Sequence, residues 1–217
     1  MDYILRILPN MFAGLGVSAQ IFLITIVLSL PIGILLALVR ISKVAVFRKL
    51  AEIYIYVMRG TPLMLQIMFI YYGLPLMLNV QISDFPAAIL AFVANYAAYF
   101  AEIFRGGIQS IPKGQLEGAM SLGFSKWESM VRIIIPQAIR NILPVIGNEF
   151  VTLIKESSQV SVIGMADLMY TATTIQGISF QPFPPLVIVA IYYFIMTFFV
   201  SMCLRVLERR MKVKSVR

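Results

Sequence analysis

The chain has 217 residues, 60% of them hydrophobic and only 13% charged, with a formal net charge of +8 and a mean hydropathy of +0.89. A soluble domain carries about 45–50% apolar and about 25% charged residues, so this chain has too little polar surface to face water all round, and lipid must supply part of its solvent. One cysteine, Cys203, and no histidine exclude a disulfide framework, a Cys/His zinc site and an imidazole base.

A membrane chain of this length accommodates about five or six helices plus loops. The N-terminal apolar run is too long for a removable signal peptide, and no small-residue cleavage site follows it. The first span is expected at about 11–39, with Pro31 and Gly33 inside it, which bilayer helices tolerate. A basic connector, 40–52, follows with Arg40, Lys43, Arg48 and Lys49 against one acid. The second span, about 53–78, is broken near its start by Gly60 and Pro62, and the connector 79–86 contains Asp84 but no lysine or arginine.

A third span at about 87–104 leads into a polar-to-mixed loop, about 105–132, and a fourth runs over about 133–154 with Pro136 in its first turn and Pro144 further in. The stretch 155–185 is less apolar, with glycines, threonines and three prolines, and is read as a short helix or re-entrant piece. The fifth span covers about 186–207, before a basic tail. With five spans, sixteen of the 18 lysines and arginines fall on one side, leaving only Arg6 and Lys155 on the other. That asymmetry predicts an external N-terminus and a cytoplasmic C-terminus. It also accounts for the net positive charge without nucleic-acid binding.

The loop before the fourth span carries the clearest pattern. Leu116, Ala119, Met120 and Gly123 recur at i, i+3, i+4, i+7, one small, moderately apolar helical face suited to a groove on a partner. Leu122, Phe124 and Trp127 are available to anchor the loop back onto the membrane domain. Gly123 can end the helix in the left-handed conformation. An ordinary amphipathic interfacial helix is the alternative.

Glu117-Gly118-Ala119, three residues, Gly123, nine residues, Ile133, one residue and Ile135-Pro136 together resemble the EAA motif of ABC importer permeases. Gly118 stands where alanine is usual and Ile135 where leucine is usual. Three further segments resemble the polar amino acid (His/Arg/Lys/Gln/Glu) uptake branch of that family: Arg59-Gly-Thr-Pro-Leu-Met-Leu-Gln66, Tyr99-Phe-Ala-Glu-Ile-Phe-Arg-Gly-Gly-Ile108 and Ile154-Lys-Glu-Ser-Ser-Gln-Val-Ser-Val-Ile-Gly164. The resemblance spans most of residues 59–164, and both ends match only in hydropathy.

The resemblance implies an all-α membrane protein with five transmembrane helices and the type I ABC importer permease fold, a single permease domain over residues 1–217 of the bacterial inner membrane. It implies a second permease subunit, as a homodimer or heterodimer, an ABC ATPase subunit, and an external binding protein that delivers an amino acid. It carries ATPase docking over to Glu117, Gly118, Ala119 and Gly123. Glu117 can equally interact with the dipole at the N-terminus of its own helix. No G-x-x-x-x-G-K-[ST] phosphate loop occurs, so the chain is expected to be no enzyme, to hold no cofactor, and to draw ATP energy from another polypeptide.

Ionisable groups at membrane depth are functional candidates. Glu102 and Arg105, one turn apart, read as a structural pair. Glu149, Thr152 and Glu156 recur on one face of the fourth span beside Asn148, either as helix–helix hydrogen-bonding groups or as a pocket for an ammonium or basic side chain. Lys155 could neutralise either acid. Ser157 and Ser158, with unwound backbone, could hold a substrate carboxylate. Gln66, Tyr96 and Tyr99 could line the opposite wall or simply pack. A secondary transporter working without an ATPase would instead show ionisable relays in several spans or inverted repeats, and neither is evident. An intramembrane enzyme would need a Ser–Lys or paired-Asp design, and the aspartates of note, Asp84 and Asp167, lie outside the spans.

Overall fold

Long apolar runs with few breakers become long helices, and α1 (Asp2–Arg40) is the longest, 39 residues, or about 58 Å at 1.5 Å per residue. The computed structural model describes residues 2–211, and no strand occurs among them. The cations Lys212, Lys214 and Arg217 of the basic tail lie outside the described residues. After α1 come α2 (Ala45–Gly60), α3 (Leu63–Met68), α4 (Leu74–Leu78), α5 (Asp84–Gln109), α6 (Lys113–Ser121), α7 (Lys126–Ser129), α8 (Ile135–Glu156), α9 (Leu168–Ser179) and α10 (Phe183–Met211). Four helical stretches are long and apolar enough to cross a membrane: Tyr3–Arg40, Asp84–Gln109, Lys126–Ile163 and Phe183–Met211. A fifth crossing is available if Ala45–Gly60 and Leu63–Leu78 count together, though they bend by 107°.

Several helices begin earlier than hydropathy suggests. α2 starts at Ala45, inside the stretch read as a basic connector, because it is amphipathic: Ala51 and Ile55 are buried while Arg48 and Lys49 are exposed. A hydropathy window averages such a helix to neutral, although its 3.6-residue periodicity is intact. Proline explains two local widenings. Turns at Phe69–Gly73 and Met130–Ile134 are π-helical, with the Leu74 and Ile135 N–H groups bonded to the Phe69 and Met130 carbonyls five residues back. Each ends two residues before a proline, Pro75 or Pro136, that lacks an N–H and would press its ring on the preceding turn. The wider turn relieves that crowding without ending the helix.

The core is organised on α5, whose buried face alternates alanines (Ala87, Ala88, Ala91, Ala97, Ala98, Ala101) with Phe92, Tyr96 and Phe100. Small residues let helices approach closely where lipid offers no hydrophobic drive for association. α1 crosses α5 at Gly33, where a Cβ would lie 2.7 Å from the Phe100 Cβ and 3.1 Å from the Ala97 carbonyl oxygen. Only glycine permits that crossing. Ile21, Phe22, Leu63, Ile67, Leu153 and Ile154 complete the main cluster around Phe92, Tyr96 and Phe100. α10 stays peripheral: Phe194, Phe198 and Phe199 are more than half exposed, as suits a lipid-facing surface.

The stretch after α8 continues as a 3-10 turn, Ser157–Ile163, and then α9, only 12 residues long. Asp167 caps α9: its carboxylate accepts from the Met169 and Tyr170 backbone N–H groups at 3.1 and 2.8 Å. The residue is fully buried, and Tyr193 of α10 also donates to it at 3.4 Å. A helix start is thereby fastened to a neighbouring helix.

Candidate substrate site and coupling surface

The break between α2 and α3 creates the polar region. Thr61 and Pro62 are extended, since proline disfavours a helical residue before it, and the last carbonyls of α2 lose their partners. Two amides repair this. Gln66 Nε2 reaches the Met58 carbonyl at 2.9 Å and Thr61 Oγ1 at 2.7 Å. Asn95 Nδ2 of α5 donates to the same Met58 carbonyl at 2.9 Å and to Gln66 Oε1 at 3.0 Å. Gln66 is therefore part of the brace that holds the break open.

Beside the break lies a cavity of about 470 Å³ walled by Thr61, Asn95, Tyr99, Glu156 and Gln159 among others. Tyr96 is 1% exposed, stacks on Phe92 with ring centroids 6.3 Å apart, and donates its hydroxyl to Glu156 Oε2 at 2.7 Å. Tyr99 leans on Tyr96 at 6.1 Å. Glu149, half-buried one face-repeat earlier on α8, has its charge felt at Tyr96 and itself feels the charge of Glu156. Glu149 and Glu156 form no ion pair among the described residues, and neither does Lys155.

The other residues of the expected set diverge. Asn148 is exposed and faces a separate cleft shared with Ser201, Arg205 and Glu208 of α10. Thr152 Oγ1 donates to the Asn148 carbonyl at 3.0 Å. The Ser157 and Ser158 hydroxyls each donate at 2.8 Å to a carbonyl three residues back, and Ser157 is fully buried. Thus Glu149, Glu156, Tyr96 and Tyr99 converge, while Asn148 turns away and the two serines serve their own helix end. Asn95, Gln159 and Arg59 belong to this region without having been singled out. A lone asparagine beside Tyr96 in an apolar helix, and an arginine next to a Gly-Thr-Pro break, were the available signals.

Glu102 and Arg105 form the expected i, i+3 pair, Arg105 Nε donating to Glu102 Oε2 at 3.0 Å with a second, bidentate contact between Nη2 and Oε1. Arg40 and Lys49 both pair with Glu52, at 3.5 and 3.4 Å. A second cavity, of about 380 Å³, lies among Arg40, Glu52, Arg59 and Glu102. Between the two cavities the Arg59 guanidinium sits over the Tyr99 ring, 5.2 Å from its centroid.

The face of α6 assigned to a partner's groove is half covered by its own chain: Leu116 packs onto a small cluster of Ile111, Ile134 and Ala138 and Ala119 is buried. Glu117, Gly118, Met120 and Gly123 stay exposed. Gly123 ends the segment with φ +90, a conformation costly for any residue with a Cβ. A Ser125/Glu128 capping box then starts α7. Leu122 and Trp127 do not anchor the loop on the membrane domain: they are 82% and 75% exposed, because the left-handed turn and the new cap aim both outward. Phe124 is half-buried. The result is an exposed apolar strip, Met120, Leu122 and Trp127, next to a carboxylate at Glu117.

Residues 29–213 match the family model described as binding-protein-dependent transport system inner membrane component. The chain is 39% identical over 205 residues to the arginine transport system permease protein ArtQ of Bacillus subtilis (strain 168), covering 94% of each. It is 37% identical to the glutamine transport system permease protein GlnP of Escherichia coli (strain K12), over 95% of this chain and 94% of that one. Among solved structures, an amino acid ABC transporter with histidines superposes with a TM-score of 0.90 at 40% identity, covering 96% of this chain and 97% of the other. An inward-facing MetNI methionine ABC transporter superposes with a TM-score of 0.73 at 16% identity, over 98% and 99%, a likeness of fold alone.

Proposed function

Because the chain belongs to the binding-protein-dependent transport system inner membrane components, we propose that it moves basic L-amino acids through the polar region between α5 and α8, driven by ATP hydrolysed on a separate subunit docked at α6. It is a permease subunit of an ABC amino-acid importer with the type I fold, a multi-pass protein of the bacterial inner membrane. The basic end, with Arg40, Arg105 and α6, is read as cytoplasmic, on the charge asymmetry. The N-terminus is then external, where a binding protein delivers substrate. A second permease subunit completes the pathway.

The observation that carries the substrate reading is the pair Glu149 and Glu156, unneutralised by any cation among the described residues, beside the Tyr96 and Tyr99 rings. Carboxylates and aromatic faces at membrane depth attract an ammonium or guanidinium and are costly to keep without one. The relative named for arginine agrees with this, whereas those named for glutamine make a neutral amide the competitor. The α5 tyrosines and the α8 acids would orient the cationic end. Ser157 and Ser158, bonded within their own helix end, offer only the neighbouring backbone turn to a substrate carboxylate.

Coupling is supported by what α6 leaves exposed. Glu117 and the Met120–Leu122–Trp127 strip offer a charge with apolar contact, the composition of a docking surface. Ala119 is buried beneath the helix and would act from there. A Cβ at Gly118 would meet nothing within 4 Å, so no contact inside this chain requires glycine there. The chain has no phosphate loop of its own, so hydrolysis belongs to the partner. The test is the complex with its ATPase in proteoliposomes, with ATP hydrolysis read against a panel of twenty amino acids. Stimulation by arginine, lysine or histidine at lower concentration than by glutamine is expected. Stimulation by neutral side chains alone would overturn the substrate reading.

A further inference from the structure

Around the cavity lined by Arg40, Glu52, Arg59 and Glu102, four cations, those two arginines with Lys49 and Arg105, stand against two acids. Glu52 is engaged by Arg40 and Lys49, and Glu102 by Arg105. Arg59, whose charge is felt at Glu102, forms no ion pair there and no side-chain hydrogen bond among the described residues. Its close partner is the Tyr99 ring. Along α8 the balance reverses: Glu149 and Glu156 carry no paired cation among the described residues, and Arg59 is also felt at Glu149. A surplus cation therefore sits on the ring of Tyr99, a residue that lines the same cavity as the unpaired Glu156.

We propose that Arg59 is a tethered cation occupying the face of Tyr99 that a basic substrate's own cation must take over, which makes Arg59 a specificity-determining residue of the transport step. Arg59 is exposed and Tyr99 half-buried, and a guanidinium so placed over a ring is held by about 0.5–1 kcal/mol, firm enough to bias the ring and weak enough for a substrate cation to displace. Neutral substrates do not compete for the ring and leave Arg59 in place. The ordinary role for a cation in the last turn of α2, favourable interaction with the helix C-terminus, would make its loss harmful to folding but would not improve binding of anything. The inference rests on the basic-substrate reading, and the experiment separates the two.

Binding of radiolabelled L-arginine and L-glutamine is measured on the purified permease–ATPase complex without nucleotide, for wild type, Arg59→Lys and Arg59→Gln. Wild type binding arginine more tightly than glutamine is the condition set by the substrate reading; glutamine binding alone defeats that reading before Arg59 is considered. Given arginine binding, Arg59→Gln is expected to tighten it about twofold to fivefold, the equivalent of one lost cation–π contact, with glutamine binding unchanged. Arg59→Lys keeps a competing cation and is expected to stay near wild type. In a Tyr99→Leu background the gain from Arg59→Gln is expected to disappear. Unchanged or weakened arginine binding in Arg59→Gln, in a complex whose Arg59→Lys sibling binds normally, overturns the tethered cation and leaves the substrate reading standing. Equal tightening toward glutamine overturns it as well.

Discussion

Two regions of this permease display glutamates and treat them in opposite ways. On α6, Glu117 is exposed, on a short helix whose inner face rests on a handful of apolar side chains. On α8, Glu156 is held by the hydroxyl of a tyrosine that is itself 1% exposed and wedged in the aromatic core. The first carboxylate is solvated and free to meet another protein, and it adds little to the stability of this chain. The second lies where its desolvation must be offset by partners, so it is coupled both to packing and to whatever enters the cavity. Exposure therefore separates the proposed docking site from the proposed substrate site.

Substitutions can break that contrast, starting with the largest effect. Glu117→Lys is expected to abolish substrate-stimulated ATP hydrolysis in the reconstituted complex while membrane insertion and the amount of folded permease stay normal; retained coupling would take Glu117 out of the docking surface. Glu149→Ala should raise the half-saturating concentration of basic amino acids by about tenfold, the loss of one charge-assisted contact, and neutral ones much less. Equal loss for both would mean that the α8 stripe holds helices together.

Tyr96→Phe sharpens the contrast from the other side. It removes one buried hydrogen bond but leaves the ring, so thermal denaturation in detergent should report a loss of about 1 kcal/mol, along with altered binding of cations at Glu156. Asp167→Ala removes the cap of α9 and should cost about 1 kcal/mol without changing substrate preference, because Asp167 braces α9 and α10 away from the acidic cavity. The smallest effect belongs to Gly118→Ala: no neighbour obstructs a Cβ there, so the α6 helix should gain about 0.5–1 kcal/mol with coupling unchanged. A loss of ATPase stimulation in that variant would show that a partner approaches the helix at Gly118.

Much of this architecture was legible before any coordinates. Long apolar runs, the break at Pro62 and the Glu102–Arg105 pair follow from chain-local rules, and spacing singled out the segment from Glu117 to Pro136 that is proposed to couple to an ATPase. The acidic stripe of α8 was legible as a face, because 3.6-residue periodicity is a property of the helix alone. Where the reading erred, the missing information was a neighbour. Periodicity found the right face of α6, Leu116 and Ala119, but could not tell whether this chain or another would cover it. Hydropathy located the second span but averaged away the charged, amphipathic start of α2.

The sequence by itself determined that this protein is a bundle of membrane helices with a short loop helix before the fourth span, since length, apolarity and motif spacing are carried by the chain without reference to its partners in space. Only the tertiary structure decided which polar groups meet. Asn148 and Glu149 are adjacent in sequence, yet Asn148 opens onto the cleft against α10 while the charge of Glu149 is felt at Tyr96 of α5, because neighbouring positions on a helix point about 100° apart. The meeting of Arg59 with Tyr99, 40 residues along the chain, arises from the crossing of α2 over α5. That crossing is a matter of packing, and packing depends on the whole fold.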